Sequence, residues 1–117
     1  MSNNYQDGLE AENLAADELA RRGFKIVERR YAAVRGTTAG EIDIVALKGR
    51  ILVFVEVKKR ASLPLAAESI TTVQRARIAR NAEAFLAKHD EFSGFDCRFD
   101  AILLDGEHNM EYIENAW

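Results

Sequence analysis

Over residues 7–22 the apolar side chains recur at helical spacing, and Gly23 follows as a C-terminal stop, so the chain opens on an amphipathic helix. FKIVERRY (24–31) then changes to strand-like character, and AAVRGTTAG (32–40) is a Gly/Thr-rich loop. EIDIVAL, the short turn KGR and ILVFVEVKK read as a hairpin, whose second strand is apolar almost throughout and therefore central. Pro64 sits in the connection SLPLAA before a long helix expected from Ser69 to Lys88. HDEFSGFD is a loop, FDCRFDAILLD a fourth strand, and MEYIENAW a short last strand or edge segment. The order α-β-β-β-α-β-β predicts an α/β fold: one domain over residues 1–117, with a central mixed sheet flanked by helices.

Three residues break this pattern in one place. Strand side chains alternate, so Leu52, Phe54, Glu56 and Lys58 share one face of their strand, while Ile51, Val53, Val55 and Val57 share the other. In EIDIVAL, Glu41, Asp43 and Val45 share a face, and Ile42 and Ile44 turn to the opposite side. Pairing the two strands brings Asp43 and Glu56 to one spot, with Lys58 beside them. Two carboxylates in a partly apolar place repel, and one protonates unless a cation lies between them. Oxygen ligands with no Cys or His nearby favour Mg²⁺ or Mn²⁺ over zinc. The alternative is that both acids pair with Lys58 or an arginine at a solvated strand edge.

Each helix carries a similar anomaly. At about 100° per residue from Leu9, the residues Ala15, Leu19, Ala16, Leu9 and Ala20 form an apolar arc, and Glu12 falls inside it at about 300°. Glu12 is thus either a metal or water ligand reaching the same centre, or a helix-dipole acid paired with an arginine. In the second helix Gln74 falls at about 140° from Ser69, among Ile70, Ile78 and Phe85. A core-facing amide needs partners, whether backbone groups or a reacting centre. Arg75, Arg77 and Arg80 leave in other directions, suited to phosphate contacts or to solvation.

Charge sharpens where a polyanion would sit. The net charge is −3, so the chain is not a generally basic nucleic-acid binder. Residues 58–80 nevertheless hold 6 basic and 1 acidic groups, while residues 81–117 hold 2 and 9. The acidic start lacks the basic and apolar regions of a signal peptide, and no apolar run approaches a membrane span, so a cytoplasmic protein is expected. The lone Cys97, inside an apolar run, reads as a core thiol.

An inward helical Glu, GEIDIVA, LVFVEVKKR and a helix with an inward Gln together resemble the PD-(D/E)XK nuclease superfamily. More closely the chain resembles the YraN-like family, similar in turn to archaeal Holliday-junction resolvases. GLEAENLAADELARRGFKIVERRY, RIARNAEAFL, CRFDAILLDG and IENAW extend the likeness over nearly the whole length. The resemblance implies a restriction-endonuclease-like core with Asp43 and Glu56 as acidic metal ligands and the Val57 carbonyl as a further one. Lys58 would be the motif lysine, orienting water and stabilising phosphate charge, and Glu12 the accessory helix carboxylate. Asp100 also matches the family pattern, with a structural role expected. Gln74 stands where many family sequences have Lys, and RRYA where an RNYR-like run is usual.

The implied activity is metal-dependent hydrolysis of phosphodiester bonds in DNA, branched or structured DNA included, with Lys59, Arg60, Arg75, Arg77 and Arg80 on the nucleic acid. A junction enzyme cutting both strands would work as a two-fold dimer. Two other classes stay open: a non-catalytic nucleic-acid-binding or partner-binding module on a nuclease scaffold, and a structural protein whose inward acids are ion-paired.

Overall fold

The computed structural model describes residues 4–33 and 41–117. The Gly/Thr-rich loop expected over 32–40 therefore lies almost entirely outside the described residues. Helix α1 (Asn4–Arg21) ends where Gly23 adopts φ 92°, and Phe24 N–H donates back to Leu19 O at 2.9 Å. Only glycine takes that conformation without a Cβ penalty, so the stop read from the sequence has a mechanical cause. The buried stripe of α1 is Ala11, Ala15 and Leu19, with Glu12 at its edge. Ala20, expected on the apolar arc, is exposed instead.

Strands β1 (Lys25–Tyr31), β2 (Ile42–Lys48), β3 (Ile51–Lys59), β4 (Asp96–Leu104) and β5 (Met110–Ile113) form a sheet in the order β1-β2-β3-β4-β5. The β3–β4 pair is parallel and the other pairs are antiparallel. Gly49, at φ 60°, turns the β2–β3 hairpin, and Lys48 faces Ile51 across it. The parallel step needs a crossover, which carries α2 (Leu63–Glu68) and α3 (Thr72–Ala87). α2 was expected as a connection. Ser62 caps it by accepting the Leu65 N–H, Pro64 occupies its first turn, and Thr71 caps α3 separately through the Gln74 N–H. Two N-caps nine positions apart, at 62 and 71, make the expected connection a short helix of its own and start the long helix at Thr72.

α1 packs on one face of the sheet against Ile44, Ala46, Val53, Val55, Ile102 and Leu104. α3 packs on the other through Ile78, Ala82 and Phe85 against Val45, Leu52 and Phe54, while Ala66 and Ile70 cover Ala101 and Leu103. β3 and β4 are thus covered on both sides, which explains their continuous apolar runs. Each large side chain sealed there contributes about 1.5–3 kcal/mol. Cys97 is a correction: it is exposed. It lies near the start of β4, whereas β5 pairs only with Ala101–Leu104 and the α2 contacts reach only Ala101 and Leu103.

Asp100 is fully buried and saturated with donors. Arg98 Nε donates to Oδ1 at 2.9 Å and Arg98 Nη2 to Oδ2 at 3.1 Å; the Tyr112 hydroxyl and the Asn115 N–H complete the set. Burial and the bond to Asp100 both push the Tyr112 phenol above its usual range. These contacts tie the C-terminal segment to β4, a structural role. Asp100→Ala should cost about 2–3 kcal/mol, because it takes the shared acceptor from the part-buried Arg98 guanidinium and Tyr112 phenol, whereas Tyr112→Phe should cost about 1 kcal/mol. Urea unfolding of both variants measures this, and a loss for Asp100→Ala no larger than that for Tyr112→Phe would contradict the assignment.

Candidate active site

The β2–β3 register runs from Lys48↔Ile51 to Ile44↔Val55 and stops. Continued by one step it sets Asp43 across from Glu56. Beyond Val55, β3 continues only against β4, as far as Lys59↔Leu104. The two carboxylates therefore sit at the fork where β2 and β3 part. There the Val57 N–H, instead of joining a ladder, donates to Asp43 Oδ2 at 2.8 Å. The fork also breaks the alternation expected for β2: Ile44 packs with the α1 cluster, but Ile42 packs with the α3 cluster. Asp43 occupies the residue between them.

Glu56 is 3% exposed, and its Oε2 has no hydrogen-bond partner among the described residues. Burial is the main force on its titration, followed by a hydrogen bond to Asp43 and the Asp43 charge; together they push its pKa up to about 10. Lys58 and the Val57 N–H act in the opposite direction without reversing the shift. That shift favours the protonated form of the Glu56 carboxyl in the ion-free protein. Glu41, half-buried nearby, is also raised, first by burial and then by Asp43, against the pull of Arg30. The hairpin thus places Asp43, Glu56 and Lys58 in mutual electrostatic contact, as the strand pattern implied.

Glu12 faces inward but has other company. Arg29 Nε donates to its Oε1 at 2.7 Å and Arg30 Nε to its Oε2 at 3.0 Å. Adjacent strand residues normally point to opposite faces, yet both arginines reach one carboxylate. The cause is the left-handed Arg30, φ 56°, which resets the direction of the chain next to Asp43. Sequence reasoning allowed an arginine partner for Glu12 but did not find this pair, because a positive φ at a non-glycine residue leaves no periodic trace. Glu41 was legible on the Asp43 face and was not singled out. Among the described residues no three His, Cys, Asp or Glu side chains gather as a ready metal cluster. Any hard cation would be held by Asp43, Glu56 and a backbone carbonyl such as that of Val57. The unpartnered Glu56 Oε2 and the all-oxygen donor set fit Mg²⁺ or Mn²⁺.

The remaining candidates are dispersed. Gln74 is half-buried in the first turn of α3, one turn before buried Ile78, and its side chain has no hydrogen-bond partner among the described residues. Arg75 departs from a phosphate-facing role: its guanidinium lies over the Trp117 ring at 5.7 Å, with Nε buried. Arg77 and Arg80 are exposed on α3. Lys59 and Arg60 extend β3 past the fork and line a cavity on the side of α1.

Residues 11–104 match the model of the uncharacterised protein family UPF0102. A UPF0102 protein of Paramagnetospirillum magneticum is 44% identical over 110 residues, spanning 94% of this chain and 85% of the relative. One from Azorhizobium caulinodans is 47% identical over 110 residues, 94% and 81% of the two chains. A third, from Rhodopseudomonas palustris, is 44% identical over 113 residues, 97% and 84%.

The raised Glu56 predicts a pH dependence with a definite sign. A carboxyl whose folded pKa lies above its unfolded value stabilises the fold fully only below the unfolded value, here 4.5, and the contribution is lost as pH rises toward about 10. Without divalent ions, stability should fall across that window, and Glu56→Gln should flatten the fall. Thermal melts at stepped pH read this directly; a variant whose slope equals the wild type's would refute the raised titration of Glu56.

Proposed function

The chain belongs to the UPF0102 family, and we propose that it is a Mg²⁺- or Mn²⁺-dependent nuclease of the PD-(D/E)XK type that hydrolyses phosphodiester bonds in DNA, branched or structured DNA included. The observation that carries this reading is the buried Glu56 beside Asp43, with one carboxylate oxygen unpartnered and Lys58 within electrostatic reach. An interior carboxyl held against its solvation preference marks a place built for a charged ligand. Asp43 is already fixed by the Val57 N–H, so its orientation does not have to be established when an ion arrives.

Asp43 and Glu56 would hold the ion through oxygen, and the chemistry a bound Mg²⁺ or Mn²⁺ supplies is Lewis acidity toward a phosphate oxygen and a water. The Lys58 ammonium would orient that water and stabilise charge developing on the phosphate, a task suited to a compact cation. The Glu12–Arg29–Arg30 cluster would brace α1 against β1 at the margin of the site. Lys59 and Arg60 would take backbone phosphates beside the reacting one. A dimer and a cytoplasmic setting fit a junction-cutting role; no described helix is long and apolar enough to cross a membrane.

One observation favours the second reading, a binding module without catalysis: both oxygens of Glu12 are engaged by arginines, so the accessory acid is already neutralised. Cleavage separates the two. The purified protein should nick at least one of single-stranded, duplex, flap or four-way-junction DNA with Mn²⁺ or Mg²⁺. Asp43→Ala and Lys58→Ala should each lower the rate by about 10²-fold or more while melting as the wild type does. Calorimetric titration should show Mn²⁺ binding that Asp43→Asn abolishes. Salt-dependent DNA binding with no cleavage of any substrate would favour the module, and cleavage surviving in both variants would indicate a contaminant.

A further inference from the structure

On the α1 side of the fork lies a cavity of about 530 Å³, lined by Gly8, Ala11, Lys58, Lys59, Arg60 and Gly106 among others. It sits just past the carboxyl ends of the parallel strands β3 and β4, where Lys59 faces Leu104, a position at which open α/β sheets accept ligands. Val57 and Lys58 belong both to its wall and to the candidate active site. A His108–Glu10 contact at 3.4 Å ties the turn that carries Gly106 to the α1 turn that carries Gly8 and Ala11.

Three features define what fits. Among the described residues no acid lines the cavity, and Lys58, Lys59 and Arg60 make no ion pair there, so the described wall is positively charged. Its volume falls within the range of small-ligand pockets, about 300–1,000 Å³, which suits about one or two nucleotides. A double helix, whose bases are paired and stacked, presents no single nucleotide able to enter without being extruded. Finally, the glycines keep the walls open: a Cβ built on Gly8 or Gly106 meets no heavy atom within 4 Å. Among the described residues the wall carries no aromatic platform, so it would grip backbone rather than read bases.

We infer that this cavity is a subsite for a single-stranded segment of nucleic acid flanking the phosphate at Asp43 and Glu56. The inference rests on the nuclease reading and narrows its substrate class to DNA with an unpaired arm or end next to the cut. Recognition is by the phosphodiester chain and independent of sequence.

The glycines make the test clean. Gly8 lies within α1, where leucine is a better helix former, and Gly106 has no positive φ, so at either place, both on the cavity wall, a side chain meets open space without backbone strain. Fluorescence anisotropy of a labelled oligothymidylate in EDTA measures strand binding apart from cleavage. Gly8→Leu and Gly106→Phe should each weaken it by about tenfold or more, with wild-type melting. A Lys59→Gln, Arg60→Gln double variant, which leaves the backbone untouched, should lower the slope of log affinity against log salt by about 1.4. With Mn²⁺, both glycine variants should lose cleavage of a flap in proportion to lost binding.

Wild-type affinity in both glycine variants, or an unchanged salt slope in the double variant, would overturn the subsite even if the wild type cleaves DNA. So would displacement of the oligothymidylate by polyglutamate at equal charge concentration, which would mark an acidic-peptide site. Loss of strand binding in the variants of a wild type that cleaves nothing would uphold the subsite and remove the hydrolytic reading instead.

Discussion

A carboxylate cannot remain charged between two apolar layers without a counter-charge, and Glu56 is placed under that constraint by the burial of β3. The strand is covered by α1 on one side and α3 on the other, and it pairs with β2 and β4 along most of its length. Only at its carboxyl end does β2 leave, and there the sheet has an opening. Asp43 fills that opening from the β2 side and takes the N–H that the departing strand would have left unused. Protonation of Glu56 relieves the charge in the ion-free protein. The same opening that interrupts the ladder thus leaves room beside the two acids.

A second group of charges shows how the fold solves the same problem without a ligand. Glu12 is as deeply placed as Glu56, but α1 lies over β1, whose Arg29 and Arg30 meet both of its oxygens. The cost is one left-handed residue in a strand. A buried ion pair contributes little net stability against an apolar replacement, and its value lies in specifying one arrangement. Here it fixes the helix against the edge strand beside Asp43. Asp100 does similar work for the C-terminus, where Arg98, Tyr112 and Asn115 leave its carboxylate no free acceptor direction. Three interior acids are therefore compensated by three different means. Only at Glu56 does an oxygen remain open.

Much of this was written locally in the chain. Period-two alternation located β3, the turn at Gly49 set the hairpin register, and from those alone Asp43 falls opposite Glu56. Helical periodicity put Glu12 on the buried side of α1. Caps are local as well: Ser62 and Thr71 are residue types that cap helices, yet SLPLAA reads as a connection and the long helix as beginning at Ser69. The exposure of Cys97 was hidden for a related reason, since an apolar run reports that a strand is covered somewhere and not how far the covering elements extend.

The amino-acid sequence by itself determined the order of the strands and the two long helices, the central place of β3, and the inward side of Glu12, because each depends on residues within a few positions of one another. The tertiary structure alone decided what each inward acid would meet: two arginines for Glu12, a closed shell of donors for Asp100, and the neighbouring Asp43 carboxylate for Glu56. Partners in space come from segments far apart in the chain. Periodicity encodes a direction, and only packing supplies what lies in that direction.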